Sequence, residues 1–410
     1  MKILSLSSLM PNAAQPVHGI FLKHRLLNLA TTSSQEMKAV APVPWFPLGQ
    51  ACFGRYAKYS RVPEREVQGQ LEVFHPRFAT FPKIGSVWAP AAIAAALVPL
   101  LARLRRDGFD FDVIDSYYLY PDGVAAALLS AMFQRPFVMT AFGSDVSQIA
   151  DLPLPRAQIR WALRRAHGLT AVCDALRQRM IEIEPAASGT EVVLHGVDHA
   201  LFQPPADRDA ARLRFGFTGR TLISVGSLIP RKGHHIAIEA MADLPELRLA
   251  IAGAGPMEHQ LRAQAEREGV ADRVAFLGEL PQELLREAMG AADALVLCSD
   301  REGIANVLME ANACGTPVIA TPVWGSPEVV CSADAGLLMR DRSAGSLVAA
   351  VRQLLAQPPD RAATRRHALR FDWTMTAHRH HAVLQRALRA WRREPLQTAF
   401  PLHRMDEERL

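Results

Sequence analysis

Short apolar runs alternate with longer amphipathic stretches along the whole chain. In the first half, the runs at 2–7, 113–115, 137–140, 168–172 and 191–194 read as strands, with helical patterns at 125–133 and 159–165 between several of them. Strands alternating with helices are the signature of a parallel sheet covered on both faces. The stretch 48–81, rich in Arg, Gly and aromatics, shows no clear period and is expected to be an irregular insertion. The pattern breaks in HGVDHALFQPPADRDAARLRFGFTGR, 195–220, whose Pro-Pro pair, Asp and Gly residues mark a domain boundary.

The second half has a cleaner period. Strands are predicted at 221–225, 247–252, 274–277, 294–298 and 317–320, and helices at 236–241, 260–267, 282–291 and 306–313. This is a doubly wound domain, in which ligands bind at the carboxyl ends of the strands. A helix is predicted over 373–390, followed by a polar, frayed tail. The expected organisation is α/β, with one Rossmann-like domain at 1–198, a second at 199–375, and a C-terminal helix in 376–410 packing back toward the first.

Length agrees, since 410 residues exceed one ordinary core and suit two. Apolar content of 49% can offset chain entropy, which excludes a disordered chain. The five cysteines (Cys52, Cys173, Cys298, Cys314, Cys331) are odd in number and widely spaced, without a Cys-x-x-Cys pair. That argues against a disulfide framework and a zinc site, and fits a reducing, cytoplasmic compartment. The opening MKILSLSSLMPN is too short and polar for a secretory leader and reads as a first buried strand. The apolar stretch 87–102 contains Pro90 and Pro99, runs into Arg103, Arg105 and Arg106, and reads as a buried helix with a basic end. A net charge of +5 suggests an anionic partner: nucleotide phosphates, a phospholipid surface or nucleic acid. The basic residues form no run interleaved with aromatics, so nucleic acid is the weakest of the three.

The most informative stretch is Ser299-Asp300-Arg301-Glu302-Gly303-Ile304-Ala305-Asn306-Val307-Leu308-Met309-Glu310-Ala311. A buried strand ends at Cys298, a polar loop follows, and a helix starts near Asn306, a residue of good N-cap type. The free amides of that helix start make an anion site. Glu302 lies beside it, and Glu310 lies one turn inside, on the face of Asn306. A carboxylate there repels phosphate, so it suits hydroxyl groups of a sugar or ribose. Read on spacing alone, both glutamates are equally well solvated helix-end residues. Gly315-Thr316-Pro317-Val318 then ends the helix and returns to a buried strand, and a second glycine-bearing loop follows at Gly325 to Glu328.

With these segments in order, the chain resembles the retaining glycosyltransferases of family 4, of GT-B fold, in which two Rossmann-like domains face each other across a cleft. The resemblance rests on the Glu-x7-Glu motif in EGIANVLMEANACGTPVIAT, and on VGSLIPRKGHHIAIEA, LAIAGAGPMEHQL and VAFLGEL. In the first half, YPDGVAAALLS, TAFGSDV and HGVDHALF are similar to family segments. It implies transfer of a sugar from a UDP- or GDP-sugar to a hydroxyl of a saccharide or lipid-linked acceptor, in polysaccharide or glycolipid biosynthesis. By this resemblance Glu302 faces the donor sugar, and Glu310 holds the ribose. The amides of Gly303, Ile304, Ala305, Asn306 and Val307 meet sugar and phosphates, Lys232 with Arg231 beside it holds the diphosphate, and Gly19 approaches the phosphates. Phe142 and Asp145 fall on the acceptor side. Fixed cations and helix N-termini aimed at the leaving group are the largest catalytic term such a site offers, although Arg231-Lys232 taken alone reads as a solvated turn.

Three positions depart from the family pattern: Ser227 where Arg is common, Phe142 where His or Arg is common, and His195 where Asn is common. No cofactor or metal is implied. No Asp-x-Asp pair suits a metal–diphosphate bridge, and Asp110/Asp112 reads as a solvated turn before a strand. Gly253-Ala254-Gly255 lacks the third glycine of a dinucleotide fingerprint, since Glu258 occupies that place. His378, His380 and His381 read as a solvated or docked helix face rather than metal ligands. The Arg-rich first half (Arg103, Arg105, Arg106, Arg156, Arg160, Arg164, Arg165) suggests peripheral contact with an anionic inner membrane face. The rival readings are a nucleotide-sugar epimerase on the same scaffold and a non-catalytic nucleotide-sugar-binding scaffold.

Overall fold

The computed structural model describes residues 1–16, 18–33, 35–45, 57–79 and 87–392. The expected frayed tail falls at 393–410, outside the described residues, as do parts of the 48–81 stretch.

The first half contributes β1 (Lys2–Leu6), β2 (Glu36–Val40), β3 (Val43–Pro44), β4 (Arg65–Gln68), β5 (Leu71–Phe74), β6 (Arg77–Phe78), β7 (Val113–Tyr117), β8 (Phe137–Ala141), β9 (Gly168–Ala171) and β10 (Glu191–Val192). The main sheet runs β10-β9-β8-β7-β1-β2-β5-β4 and is parallel except for β4 against β5. The second half contributes β11 (Thr221–Val225), β12 (Arg248–Ala252), β13 (Val274–Gly278), β14 (Ala294–Leu297), β15 (Val318–Ala320) and β16 (Gly336–Leu338). They form a parallel sheet in the order β13-β12-β11-β14-β15-β16. Strands β7, β8 and β11 are buried at every position, as expected where helices cover both faces of a parallel sheet. The two sheets make the two-domain GT-B architecture read from the sequence.

The described part of 48–81 corrects the expectation of an irregular insertion. It holds a hairpin, β4–β5, that turns at Gly69 (φ 61°) and adds β5 in parallel to β2. Leu71, Val73 and Phe74 of β5 are buried, but four residues are too few to reveal a period. The basic-ended helix is Ala89–Arg106, with Ile93, Leu97, Leu101 and Leu104 inward. Among the described residues, no helix is long and apolar enough to cross a membrane.

The chain crosses back at its end. Val197 pairs with Asp372, and the helix Trp373–Arg392 lies on the helix Ile20–Ser33 and on β8 and β9 of the first sheet. Asp112 accepts from Lys2 N at 2.7 Å and from Arg392 at 2.9 Å, so it ties the first strand to the last helix. Asp110 pairs with Arg105 and Arg135. The expected solvated turn is therefore an ion-paired one.

Candidate functional site

Loops from the carboxyl ends of both sheets line one cleft of about 370 Å³. Arg231, Arg301, Glu302 and Asn306 line it from the second domain; Phe21, Tyr118, Phe142, Ser144, Gln148 and His195 line it from the first.

The motif loop leaves β14 and is held at several points. Gly325 N donates to Gly303 O at 3.0 Å. Gly303 lies against the Phe142 carbonyl so closely that an added Cβ would overlap that oxygen. The two domains thus meet here backbone to backbone. The Glu302 side chain is only 8% exposed. It accepts from Lys232 Nζ at 2.5 Å, from Ser299 Oγ at 2.7 Å and from Arg231 Nη1 at 3.3 Å. Lys232 and Arg231 reach it because Pro230–Lys232 forms one tight turn ending at Gly233. Gly233 sits at φ 74° against the Cys298 carbonyl, where a side chain would collide.

The helix is Asn306–Ala313, and its cap corrects the sequence reading. Ala305 is the N-cap residue, no side chain caps the helix, and Asn306 is its first residue. The Asn306 Oδ1 instead meets His195 Nδ1 at 2.8 Å, across the domain boundary. The first amides keep no side-chain partner, which favours an anion. His195 is stacked between Phe21 and Trp373, and burial lowers its pKa to about 3. Glu310 and Asn306 open on the same small cavity, beside Phe21 and Trp373. Burial raises the Glu310 carboxyl to about 7. Among the described residues, no donor meets it.

On the first domain, Asp145 faces its own loop rather than the cleft. It is fully buried and accepts from Gly143 N at 2.7 Å, Leu119 N at 2.8 Å and Phe142 N at 3.3 Å. Burial raises its pKa. Phe142 packs with Phe21, Tyr117 and His195, with ring centroids 5.4, 5.8 and 5.4 Å away. Gly19 does not line the cleft; it backs Leu9, which does. Ile304 lines the cleft, whereas Ala305 and Val307 flank it at the helix start. Ser227 lines a neighbouring cavity of about 400 Å³ with Gly253 and Leu280.

Other cleft residues carried no signal in the sequence reading. Tyr118 sits at φ 87°, a strained conformation for a bulky residue, with its hydroxyl on Ser144. Burial pushes that phenol up to about 12. Arg301 crosses the cleft: with the Gln148 amide oxygen turned toward it, the contacts are 2.6 Å from Nε and 3.0 Å from Nη2. Behind Phe142 lies a buried polar chain. Arg25 Nη2 lies 3.2 Å from His380 Nδ1, His380 Nε2 lies 2.9 Å from Asp115 Oδ1, and Tyr117 donates to Asp115 Oδ2 at 2.5 Å. With Arg25 donating to Nδ1, the imidazole proton sits on Nε2 and points at Asp115. Of the three C-terminal histidines, His380 is the docked one and His378 is exposed. Among the described residues, no three His, Cys, Asp or Glu side chains converge as metal ligands would.

Comparison with known proteins tests this geometry. A family model of "Glycosyltransferase Family 4" matches residues 56–201, and one of "Glycosyl transferases group 1" matches residues 190–370. A D-inositol 3-phosphate glycosyltransferase of Geodermatophilus obscurus is 31% identical over 350 residues, 79% of this chain and 77% of the relative. A putative teichuronic acid biosynthesis glycosyltransferase, TuaC of Bacillus subtilis, is 28% identical over 86% of this chain and 88% of its own. The structure of Anabaena Alr3699/HepE in complex with UDP superposes with a TM-score of 0.71 at 23% identity, covering 94% of this chain and all of that one. The motif loop, the paired sheets and these relatives agree: the chain is a glycosyltransferase and belongs to glycosyltransferase family 4.

Proposed function

We propose that the chain moves a sugar from a nucleoside-diphosphate donor, held by the second domain, to a hydroxyl presented by the first, with retention of the anomeric configuration and without a metal ion. In this reading residues 1–198 form the acceptor-side unit and 199–375 the donor-binding unit. The observation that carries it is the convergence of Lys232, Arg231 and an uncapped helix start on the loop that holds Glu302. Cleavage of the anomeric C–O bond leaves negative charge on the phosphate oxygen. Two cations and a helix N-terminus supply fixed positive charge there, the role a metal would otherwise take. Glu310 offers two acceptor oxygens to the ribose hydroxyls, and the cavity at Ser227 and Gly253 has room for the base. Glu302 takes the sugar hydroxyls.

The proton needs a destination. The titratable side chains on the first-domain wall are His195 and Tyr118, moved to about 3 and about 12. At neutral pH neither accepts a proton readily. The acceptor oxygen therefore bonds to the anomeric carbon as the phosphate oxygen departs on the same face, and that oxygen takes the acceptor's proton. Phe142 and Phe21 line the cleft and shield this step from water.

Thermal unfolding with UDP, GDP and ADP, each with magnesium or chelator, tests the reading. One diphosphate raises the midpoint irrespective of metal, and Glu310→Ala abolishes the shift. Stabilisation only with magnesium sinks metal independence, and an inverted product anomer by proton NMR sinks retention. Donor incubated without acceptor stays unepimerised.

A cytoplasmic position touching the inner membrane face belongs to the same proposal. Arg160 and Arg164 pair with Glu184, Arg105 with Asp110, and Arg165 lies on Trp161. Arg103, Arg106 and Arg156 keep no partner among the described residues. Trp88, Leu152 and Leu154 are exposed on the side of Arg156, where Gln158 bonds Val87 O at 3.2 Å, while Arg103 and Arg106 stand at the other end of the helix Ala89–Arg106. Co-sedimentation with anionic over neutral liposomes is the expected result.

A further inference from the structure

The two cations assigned to the diphosphate already hold an anion. Glu302 takes Lys232 on one oxygen at 2.5 Å and Arg231 on the other at 3.3 Å, and Ser299 donates to the first at 2.7 Å. The group is sheltered: the Glu302 side chain is 8% exposed and that of Lys232 15%. Buried partners depend on one another, because removing either leaves a desolvated charge without compensation. A diphosphate that reaches Lys232 and Arg231 competes with this carboxylate for them, since the two anions repel.

What happens to the carboxylate then depends on the ligand. Phosphate oxygens are acceptors, as is Glu302, and the ribose hydroxyls are assigned to Glu310, so a bare nucleoside diphosphate brings no donor to Glu302. A sugar on the terminal phosphate carries hydroxyls, which donate. Only the intact donor satisfies Glu302 after taking its cations. Resting on the reading of this cleft as the donor site, we propose that Glu302 is a specificity-determining group that competes with the diphosphate for Lys232 and Arg231, so that the protein favours the nucleotide sugar over the nucleoside diphosphate left after transfer. Once the sugar has moved to the acceptor, the carboxylate loses its hydroxyl partners, returns to the cations and expels the product. A carboxylate beside an anion site, unfavourable in a static view, becomes the device that clears it.

Isothermal titration of the full chain with UDP, GDP, UDP-glucose and GDP-mannose tests this. In Glu302→Gln the nucleoside diphosphate that binds wild type binds about tenfold tighter, and its sugar conjugate binds no tighter, so their affinity ratio collapses. Glu302→Ala, which removes the carboxylate by truncation, shows the same tightening and guards against misfolding of the first variant. Unchanged or weaker diphosphate binding in both variants overturns the proposal. If Lys232→Ala abolishes binding in that case, the donor-site reading survives without this role for Glu302. If no diphosphate binds wild type or any variant, both fall.

Discussion

The two walls of the cleft use the same residue types in opposite ways. On the second domain charged groups face the cleft, as Glu302, Arg231 and Arg301 do, with Lys232 paired to Glu302 beside them. On the first domain the carboxylates turn inward. Asp145 holds the amides of Leu119, Phe142 and Gly143, and Asp122 holds the amide and hydroxyl of Ser8. What that wall shows is rings and neutral polar groups. In the proposed reading one wall supplies charge, matched to a leaving group, and the other supplies shape, which can change with the acceptor while the chemistry stays.

The largest test of this contrast is catalytic. Lys232→Ala should lower the single-turnover rate by about 10²- to 10³-fold in protein that is still folded. Phe142→Leu on the facing wall should cost less than about tenfold. Comparable losses would break the comparison. Next in size is stability. Asp145→Ala leaves three buried amides without an acceptor, and urea unfolding should show a loss of about 2–4 kcal/mol. Lys232→Ala should lose less in the same assay, because Glu302 keeps Arg231 and Ser299 as partners. A smaller effect is expected across the domain boundary. His195→Leu removes the bond to Asn306 and should raise KM for the donor by a few-fold at most, since the helix amides remain.

The smallest effect is a pH dependence. The Glu310 carboxyl titrates at about 7 in the folded chain, above its unfolded value, because burial disfavours the charged form. Between the unfolded value and about 7 the folded state binds more protons, so this group's contribution to stability falls as pH rises through that window. Glu310→Gln should therefore melt above wild type, by a margin that widens from pH 5 to pH 8. Asp122, also raised to about 7 by burial, is common to both proteins and cancels. A constant margin would mean that Glu310 is not desolvated as the structure has it.

The charged wall was the legible one. Glu302, Glu310, Lys232 and the helix between them lie within local segments, where strand ends, glycine turns and a 3.6-residue period announce themselves. The first-domain wall is assembled from a distance. Arg25, Asp115 and His380 are far apart in sequence, and no period in the helix Trp373–Arg392 singles out His380 as the buried one. The Asn306 cap was misread for the same reason: a suitable side chain was present, but His195 of the other domain holds it. His195, one of the three departures from the family pattern, makes that bond. The hairpin β4–β5 escaped because its strands are short, although Gly69 between Gln68 and Gln70 was an available turn signal.

The meeting of Gly143 and Gly303 also has a mechanical meaning. Where side chains face each other, closure is soft, because rotamers yield. Here a Cβ on Gly303 would strike the Phe142 carbonyl, and one on Gly143 would crowd the Gly303 backbone. Two bare main chains in contact make a hard stop that sets the aperture of the jaws. A methyl group at 303 would act as a shim: the donor could still lie on its own wall, but the acceptor hydroxyl would be held back from the anomeric carbon, with water free to enter the gap. The spacing of the two walls at this point is set by two residues with no side chain.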